Sequence, residues 1–190
     1  MKSITFATGN RRKINEATSV LTPLGIAIDH QAVAIDEIQH HNPAEITKAK
    51  ARAAFAQIGA PVVVQDTSWS IPALGGFPGG YMKDISAWFA AEDWLALMNR
   101  HENKAIYCHE HVAYFDGETV QHFEVTYRGR FIDEARGRVD DAESFEQTVI
   151  LYGDKTMAEQ LAEGGDASAG ESPEHWRLFG EWFTARQNVE

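Results

Sequence analysis

The 190-residue sequence is short of several things, and each shortage removes a class of protein. It has one cysteine, Cys108, which cannot close an intramolecular disulfide and lacks the Cys/His spacing of a structural zinc site. A reducing compartment, the cytoplasm, is the expected setting. No apolar run approaches the ~18–20 residues that cross a bilayer, and the opening MKSITFATGN has no apolar signal-peptide core, so membrane-spanning and secreted readings are not expected. Positive charge is scarce as well. Seventeen Lys and Arg face 28 Asp and Glu, a net charge of −11, whereas binding polymeric nucleic acid calls for a dense basic surface. Repeats and low-complexity linkers are absent too, so residues 1–190 are expected to form a single domain.

What is present is an ordinary globular composition, 44% hydrophobic and 24% charged, with its charge unevenly spread. Residues 1–60 carry seven basic and five acidic side chains, whereas residues 133–190 carry five and fourteen. An acidic chain therefore has a mildly basic front end.

Lys2 to Thr8 reads as a short buried strand, broken by Gly9-Asn10 before a helix with Ile14, Ala17, Leu21 and Leu24 at helical spacing. Ile26, Ile28, Val33 and Ile35 suggest extended chain. Asn42-Pro43-Ala44-Glu45 is an N-cap, a first-turn proline and a first-turn acid, which predicts a helix running to about Gly59. Val62-Val63-Val64 reads as a strand buried on both faces. The Gly- and Pro-rich stretch Ile71 to Gly80 predicts an ordered loop, followed by one helix capped by Asp84 or Ser86 and reaching Asn99. Ala105 to Phe115 and Thr119 to Tyr127 flank Asp116-Gly117 as a hairpin. Glu163 to Glu171 reads as a mobile loop, and Ser172-Pro173 opens a last helix. Helices interleaved with strands, followed by a hairpin, give an α/β class with a mixed sheet.

Three groups of residues suggest chemistry. Thr8-Gly9-Asn10-Arg11-Arg12-Lys13 puts N–H groups, a hydroxyl, an amide and cations where a strand meets a helix N-terminus, a place suited to anions. It is not a Walker A sequence. Asp36-Glu37-Ile38-Gln39 and Gln65-Asp66-Thr67 place acids after extended segments, as hard-cation ligands beside a phosphate would be. Asp66 is read as lying directly after the buried Val62–Val64 strand. Lys50 and Lys83 add cations suited, with Lys13, to neutralising a triphosphate. His109-Glu110-His111 offers two imidazoles on one strand face but no third metal ligand of suitable spacing.

FATGNRRKINE, DEIQ, EITKAKARAA and PVVVQDTSWSIPALGGFPGGYMKD, in that order, resemble the inosine triphosphate pyrophosphatase family, whose members hydrolyse non-standard purine nucleoside triphosphates to monophosphate and pyrophosphate. The resemblance implies an elongated mixed sheet flanked by helices, two lobes around a central nucleotide cleft, a Mg²⁺ cofactor and a homodimer. It assigns phosphate binding to Thr8, Gly9, Asn10, Lys13 and Lys83, metal binding to Glu37 and Asp66, and catalysis to Asp66, Lys13 and Lys50. Departures begin at Gln65, where the family has Glu. Anchored on Asp154 to Glu159, the family's base-stacking segment falls on Ser144-Phe145-Glu146-Gln147. Its Glu-Lys-Asn, followed by Ser-His-Arg, has no clean counterpart: the Lys is missing and His-Arg has become His175-Trp176-Arg177. Phe145, Glu146, His175 and Arg177 are accordingly the base-binding candidates.

The expectation is a Mg²⁺-dependent pyrophosphohydrolase acting on an ITP-, XTP- or dITP-like nucleotide, with no polymeric nucleic acid and no membrane among its partners. Two alternatives stay open: a nucleotide-binding module with weak or no hydrolysis, and a pyrophosphatase retargeted to another modified nucleotide.

Overall fold

The structure is a computed structural model and describes residues 2–138, 143–164 and 173–186. Its strands are β1 (Lys2–Ala7), β2 (Ile26–Gln31), β3 (Val62–Ser70), β4 (Pro78–Gly79), β5 (Ala105–Phe115), β6 (Val120–Phe131) and β7 (Val149–Ile150). Its helices are α1 (Arg11–Leu21), α2 (Pro43–Ile58), α3 (Met82–Trp88), α4 (Ala91–Asn99), α5 (Met157–Ala162) and α6 (Glu174–Arg186). Among the described residues the strands form one sheet in the order β2-β1-β3-β5-β6-β7, with β4 paired to β3. β1 is parallel to β2 and β3, while β4 and β7 are antiparallel to their neighbours, so the fold is mixed α/β as expected. The chain divides into two compact units, Met1–Asp66 with Glu110–Val125 and Ser172–Glu190, and Thr67–His109 with Thr126–Glu171. The expected loop at Glu163–Glu171 and the helix start at Ser172 fall mostly outside the described residues.

In the first unit, alternation along β3 sends Val63 to one face and Val62 and Val64 to the other. Val63 packs with Ile4, Phe6, Leu21, Trp176 and Phe179, a cluster built from β1, α1 and α6. Val62 and Val64 pack with Ala51 and Ala54 of α2. Small residues on α2 let it lie close to the sheet. On the other face Gly180 lets α6 lie close to the end of α1, because a Cβ there would come within 2.6 Å of Leu24 and 2.8 Å of Leu21. The α2 boundaries follow the sequence: Asn42 caps through Ala44 N at 3.1 Å, and Gly59 ends the helix at φ 73°.

The second unit is held by Trp69, Ile71, Met82, Trp94, Met98, Ile106, Phe131, Phe145 and Val149. Trp94 is fully buried, with Phe89 5.1 Å and Phe131 6.2 Å from it between ring centroids. The Gly/Pro loop is ordered, with a cis Phe77-Pro78 bond and a two-residue strand on Trp69 and Ser70.

Two sequence expectations are corrected. β3 does not stop at Val64 but continues through Gln65 and Asp66 to Ser70, so Asp66 lies within a strand rather than after it. The single helix expected to reach Asn99 is two, α3 and α4, broken where Phe89 is extended (ψ 136°) and where the Asp93 carboxylate accepts from Ala90 N at 2.8 Å.

Candidate functional site

β1 runs into the Gly9 turn and α1 begins at once. The first N–H groups of a helix have no partner within it, and the turn's own side chains meet that need. Asn10 Oδ1 accepts from Arg12 N at 2.9 Å and Lys13 N at 3.5 Å, and Thr8 Oγ1 accepts from Asn10 N at 3.1 Å. Neither backbone strain nor crowding demands glycine at position 9. Its φ is not in the left-handed region, and a Cβ would meet Ala32 Cβ at an ordinary 3.5 Å.

One helical turn into α1, Lys13 Nζ donates to the Gln65 main-chain carbonyl at 3.3 Å. Glu16, three residues on, shares that helix face. Its Oε2 accepts from Gln65 Nε2 at 2.9 Å and lies 3.5 Å from His175 Nε2 of α6. Gln65 Nε2 also donates to Glu110 Oε2 of β5 at 3.0 Å and sits 3.2 Å from His175 Nε2. Burial acts to raise the Glu16 carboxyl pKa, but the hydrogen bond and charge of His175, the Gln65 amide and Lys13 together hold it below its ordinary value. At Glu110 burial wins, and the carboxyl is raised against the opposing pull of His175 and Lys13, with the Glu16 charge adding to the rise.

On the opposite face of β3, Asp66 meets α2. Lys50 Nζ lies 2.6 Å from Glu37 Oε1 and 3.8 Å from Asp66 Oδ1, with the lysine side chain 17% exposed and that of Asp66 25%. The fold thus brings together Glu37, Lys50 and Asp66, which the sequence holds 13 and 16 residues apart. Among the described residues no group of three or more His, Cys, Asp or Glu is placed to hold a metal. Glu37 and Asp66, converging on one cationic position, are a two-carboxylate oxygen set. That suits Mg²⁺, which is typically held by one or two carboxylates with substrate phosphates completing its shell.

The remaining candidates are placed differently. Lys83 is exposed on α3 in the second unit and lines a cleft of about 700 Å³ with Ser86, Arg138, Glu143 and Gln147. Phe145 is 2% exposed and packed edge-on against Trp69 and Trp94. Glu146 accepts from Glu143 N at 2.7 Å within its own turn. His175 is 1% exposed in the Gln65 cluster. Arg177 is held along the α6 surface by Glu174 and Glu181. A ring as enclosed as Phe145 presents no face to a base in this conformation.

Glu16 and Glu110 are the functional candidates that sequence reasoning missed. The available signal for Glu16 was its i+3 spacing from Lys13. Glu110 had none, since its partner Gln65 is 45 residues away. Of the His109–His111 pair, His109 bonds Ser70 and Thr126, while His111 stacks on His122.

A sequence model of the Ham1 family matches residues 4–165. The dITP/XTP pyrophosphatase of Methanopyrus kandleri is 28% identical over 181 residues, 95% of each chain. The inosine triphosphate pyrophosphatase of Aspergillus fumigatus is 41% identical over 102 residues, 54% of each chain. Among solved structures, a HAM1 protein from Coxiella burnetii aligns with a TM-score of 0.78 at 19% identity, covering 97% of this chain and 100% of that one. A Staphylococcus aureus Ham1 protein aligns at 0.73 and 17%, with the same coverage. These structures share the fold.

Proposed function

The chain belongs to the Ham1 family, and on that footing we propose that it is a nucleoside triphosphate pyrophosphohydrolase. Its substrate in this reading is a non-standard purine nucleotide of the ITP, XTP or dITP kind, cleaved to monophosphate and pyrophosphate. The observation that carries the reading is Lys50 set between Glu37 and Asp66, with Lys13 anchored to the residue before Asp66. Two cations and two carboxylates on adjoining elements suit a reaction whose barrier is mostly charge and positioning.

In this mechanism the Thr8 hydroxyl, the Asn10 side-chain amide nitrogen and the Lys13 ammonium bind phosphate oxygens. The freedom of Gly9 from any folding demand supports a role in letting the ligand approach the backbone. Lys83 is proposed as a further phosphate cation. Asp66 orients a water and takes its proton as the water oxygen attacks the α-phosphorus. The bond from that phosphorus to the bridging oxygen breaks, and the electron pair leaves with pyrophosphate. Lys50 offsets the repulsion between Glu37 and Asp66 and orients them. Mg²⁺, when held by Glu37 and Asp66, would add charge neutralisation at the phosphates.

The base-binding role of Phe145, Glu146, His175 and Arg177 rests on resemblance alone, and stacking a base on Phe145 requires its ring to leave Trp69 and Trp94. A cytoplasmic homodimer is the proposed setting. Its support is the single buried thiol of Cys108 and the family resemblance. Among the described residues no helix is long and apolar enough to cross a membrane. Three strands, β3, β5 and β6, each contribute residues to both units, which supports treating residues 1–190 as one functional domain.

A panel of ITP, XTP, dITP, the standard nucleotides in ribo and deoxy form and modified pyrimidine triphosphates, each with Mg²⁺, tests the reading. Monophosphate and pyrophosphate in molar excess over protein from the inosine or xanthosine nucleotides is the expected result. Binding without turnover would replace the enzyme by a nucleotide-binding module. Turnover confined to a modified pyrimidine would mean a retargeted pyrophosphatase.

A further inference from the structure

We propose that Gln65 is a positioning residue for the phosphate-binding end of the first unit: its side-chain amide holds Glu16 and Glu110 together while its main-chain carbonyl holds the Lys13 ammonium. The inference rests on the reading of Lys13 as a phosphate ligand.

The chemistry of the cluster favours an amide over the carboxylate found at this position in the resembled family. Gln65 is 4% exposed, and its Nε2 lies 2.9 Å from Glu16 Oε2 and 3.0 Å from Glu110 Oε2. An amide nitrogen has two hydrogens to give, and these two carboxylates take them. His175 Nε2, 3.5 Å from Glu16 Oε2, then serves as a donor to that carboxylate. Turning the amide over would put Oε1 against two carboxylates, so the orientation is fixed by charge. Its cost is visible: Gln65 Oε1 is buried with no hydrogen-bond partner. An orphaned buried acceptor of this kind asks for an explanation, and the two-carboxylate grip supplies one.

A glutamate at 65 would crowd three carboxylates, all acceptors, around one point. They would have to separate or take up a proton. Lys13, whose charge already acts on both Glu16 and Glu110, would be drawn towards the added charge and away from the Gln65 carbonyl. Restoring the family's residue should therefore harm this protein rather than improve it. Moving the amide to the partner position should repair the damage, because Gln65→Glu with Glu110→Gln keeps one amide and two carboxylates in the cluster.

The test compares wild type, Gln65→Glu and the double variant by calorimetric titration with pyrophosphate and by KM and kcat on the nucleotide that the panel selects. Expected is a rise of about tenfold in pyrophosphate Kd and in KM for Gln65→Glu, a smaller change in kcat, and recovery of most of that loss in the double variant. Wild-type affinity in Gln65→Glu overturns the proposal, as does a folded double variant that binds no better than the single one. If Gln65→Glu does not fold, the double variant decides alone: near-wild-type pyrophosphate binding supports the proposal, and weak binding or failure to fold overturns it. Should wild type bind pyrophosphate yet hydrolyse no nucleotide, the enzymatic reading fails while the binding series still judges Gln65.

Discussion

Both units have an apolar core, but the first adds a buried polar cluster to it. Around Gln65 the first unit gathers two carboxylates, an imidazole, an amide and an ammonium, each fixed by directional contacts. Around Trp94 the second unit gathers Trp69, Phe89, Phe131 and Phe145, with a polar thread from the Trp94 indole to Ser144 Oγ at 3.0 Å and on to the Ser86 carbonyl. Apolar packing is non-directional and contributes stability roughly in proportion to area. Buried polar groups give little net stability but hold particular atoms in place. The proposed chemistry lies beside the polar cluster of the first unit, whereas the Trp94 cluster supplies packing alone, and substitutions can set the two against each other.

The largest effect should come from Asp66→Asn, which keeps shape and removes a proton acceptor. Turnover should fall by about 10²–10⁴-fold with an unchanged melting temperature. Wild-type pyrophosphate release, measured where hydrolysis limits the rate, would remove Asp66 from the mechanism. Trp94→Ala should do the opposite. A loss of about 3–5 kcal/mol in denaturant unfolding is expected, with kcat near normal in whatever fraction stays folded.

The smallest effect sharpens the comparison inside the first unit, away from the proposed chemistry. Asp116 accepts from Thr119 N at 2.7 Å and Glu118 N at 3.0 Å and pairs with Arg186 at 2.5 Å. Burial acts to raise its pKa, but those backbone bonds and the arginine outweigh it, and the carboxyl is held below its ordinary value. A carboxyl lowered by folding stabilises the native state above its unfolded pKa, and that stabilisation is lost as pH falls through the folded value. Asp116→Ala should therefore cost about 1–2 kcal/mol at neutral pH and progressively less in acid, with turnover intact. A pH-independent difference between variant and wild type would contradict this account.

Local signals carried much of the fold. The cap at Asn42, the stop at Gly59, the Asp116-Gly117 turn and the helix opening at Asn10 are decided by residues within a few positions of each other, so the sequence shows them plainly. β3 beyond Val64 was not legible in the same way. Gln65-Asp66-Thr67-Ser68 looks like a polar loop, but it is strand here between β1 and β5, with Glu16, Glu110 and Lys50 receiving the side chains of Gln65 and Asp66. The break between α3 and α4 was hidden for the converse reason. Apolar periodicity runs across it, and the interruption is a backbone choice stabilised by Asp93. For the site, residue types and order picked out Lys13, Glu37, Lys50 and Asp66. The Glu16–Gln65–Glu110 grip, assembled from α1, β3 and β5, needed three-dimensional contacts to be seen.

The placement of Gln65 and Asp66 as neighbours on one strand has a consequence for how this chain can vary. Because successive side chains leave β3 on opposite sides, one turns to the acid pair and the other to the lysine. Thr5 and Phe6 of β1 sit opposite Val62 and Val63 and set the strand's phase. A single-residue deletion between 62 and 65 would exchange the two sides in one stroke, sending the carboxylate to Glu16 and the amide to Lys50. On the proposed role of Gln65, a substitution in this strand can be offset at a partner, as in Gln65→Glu with Glu110→Gln, whereas a change in its length cannot.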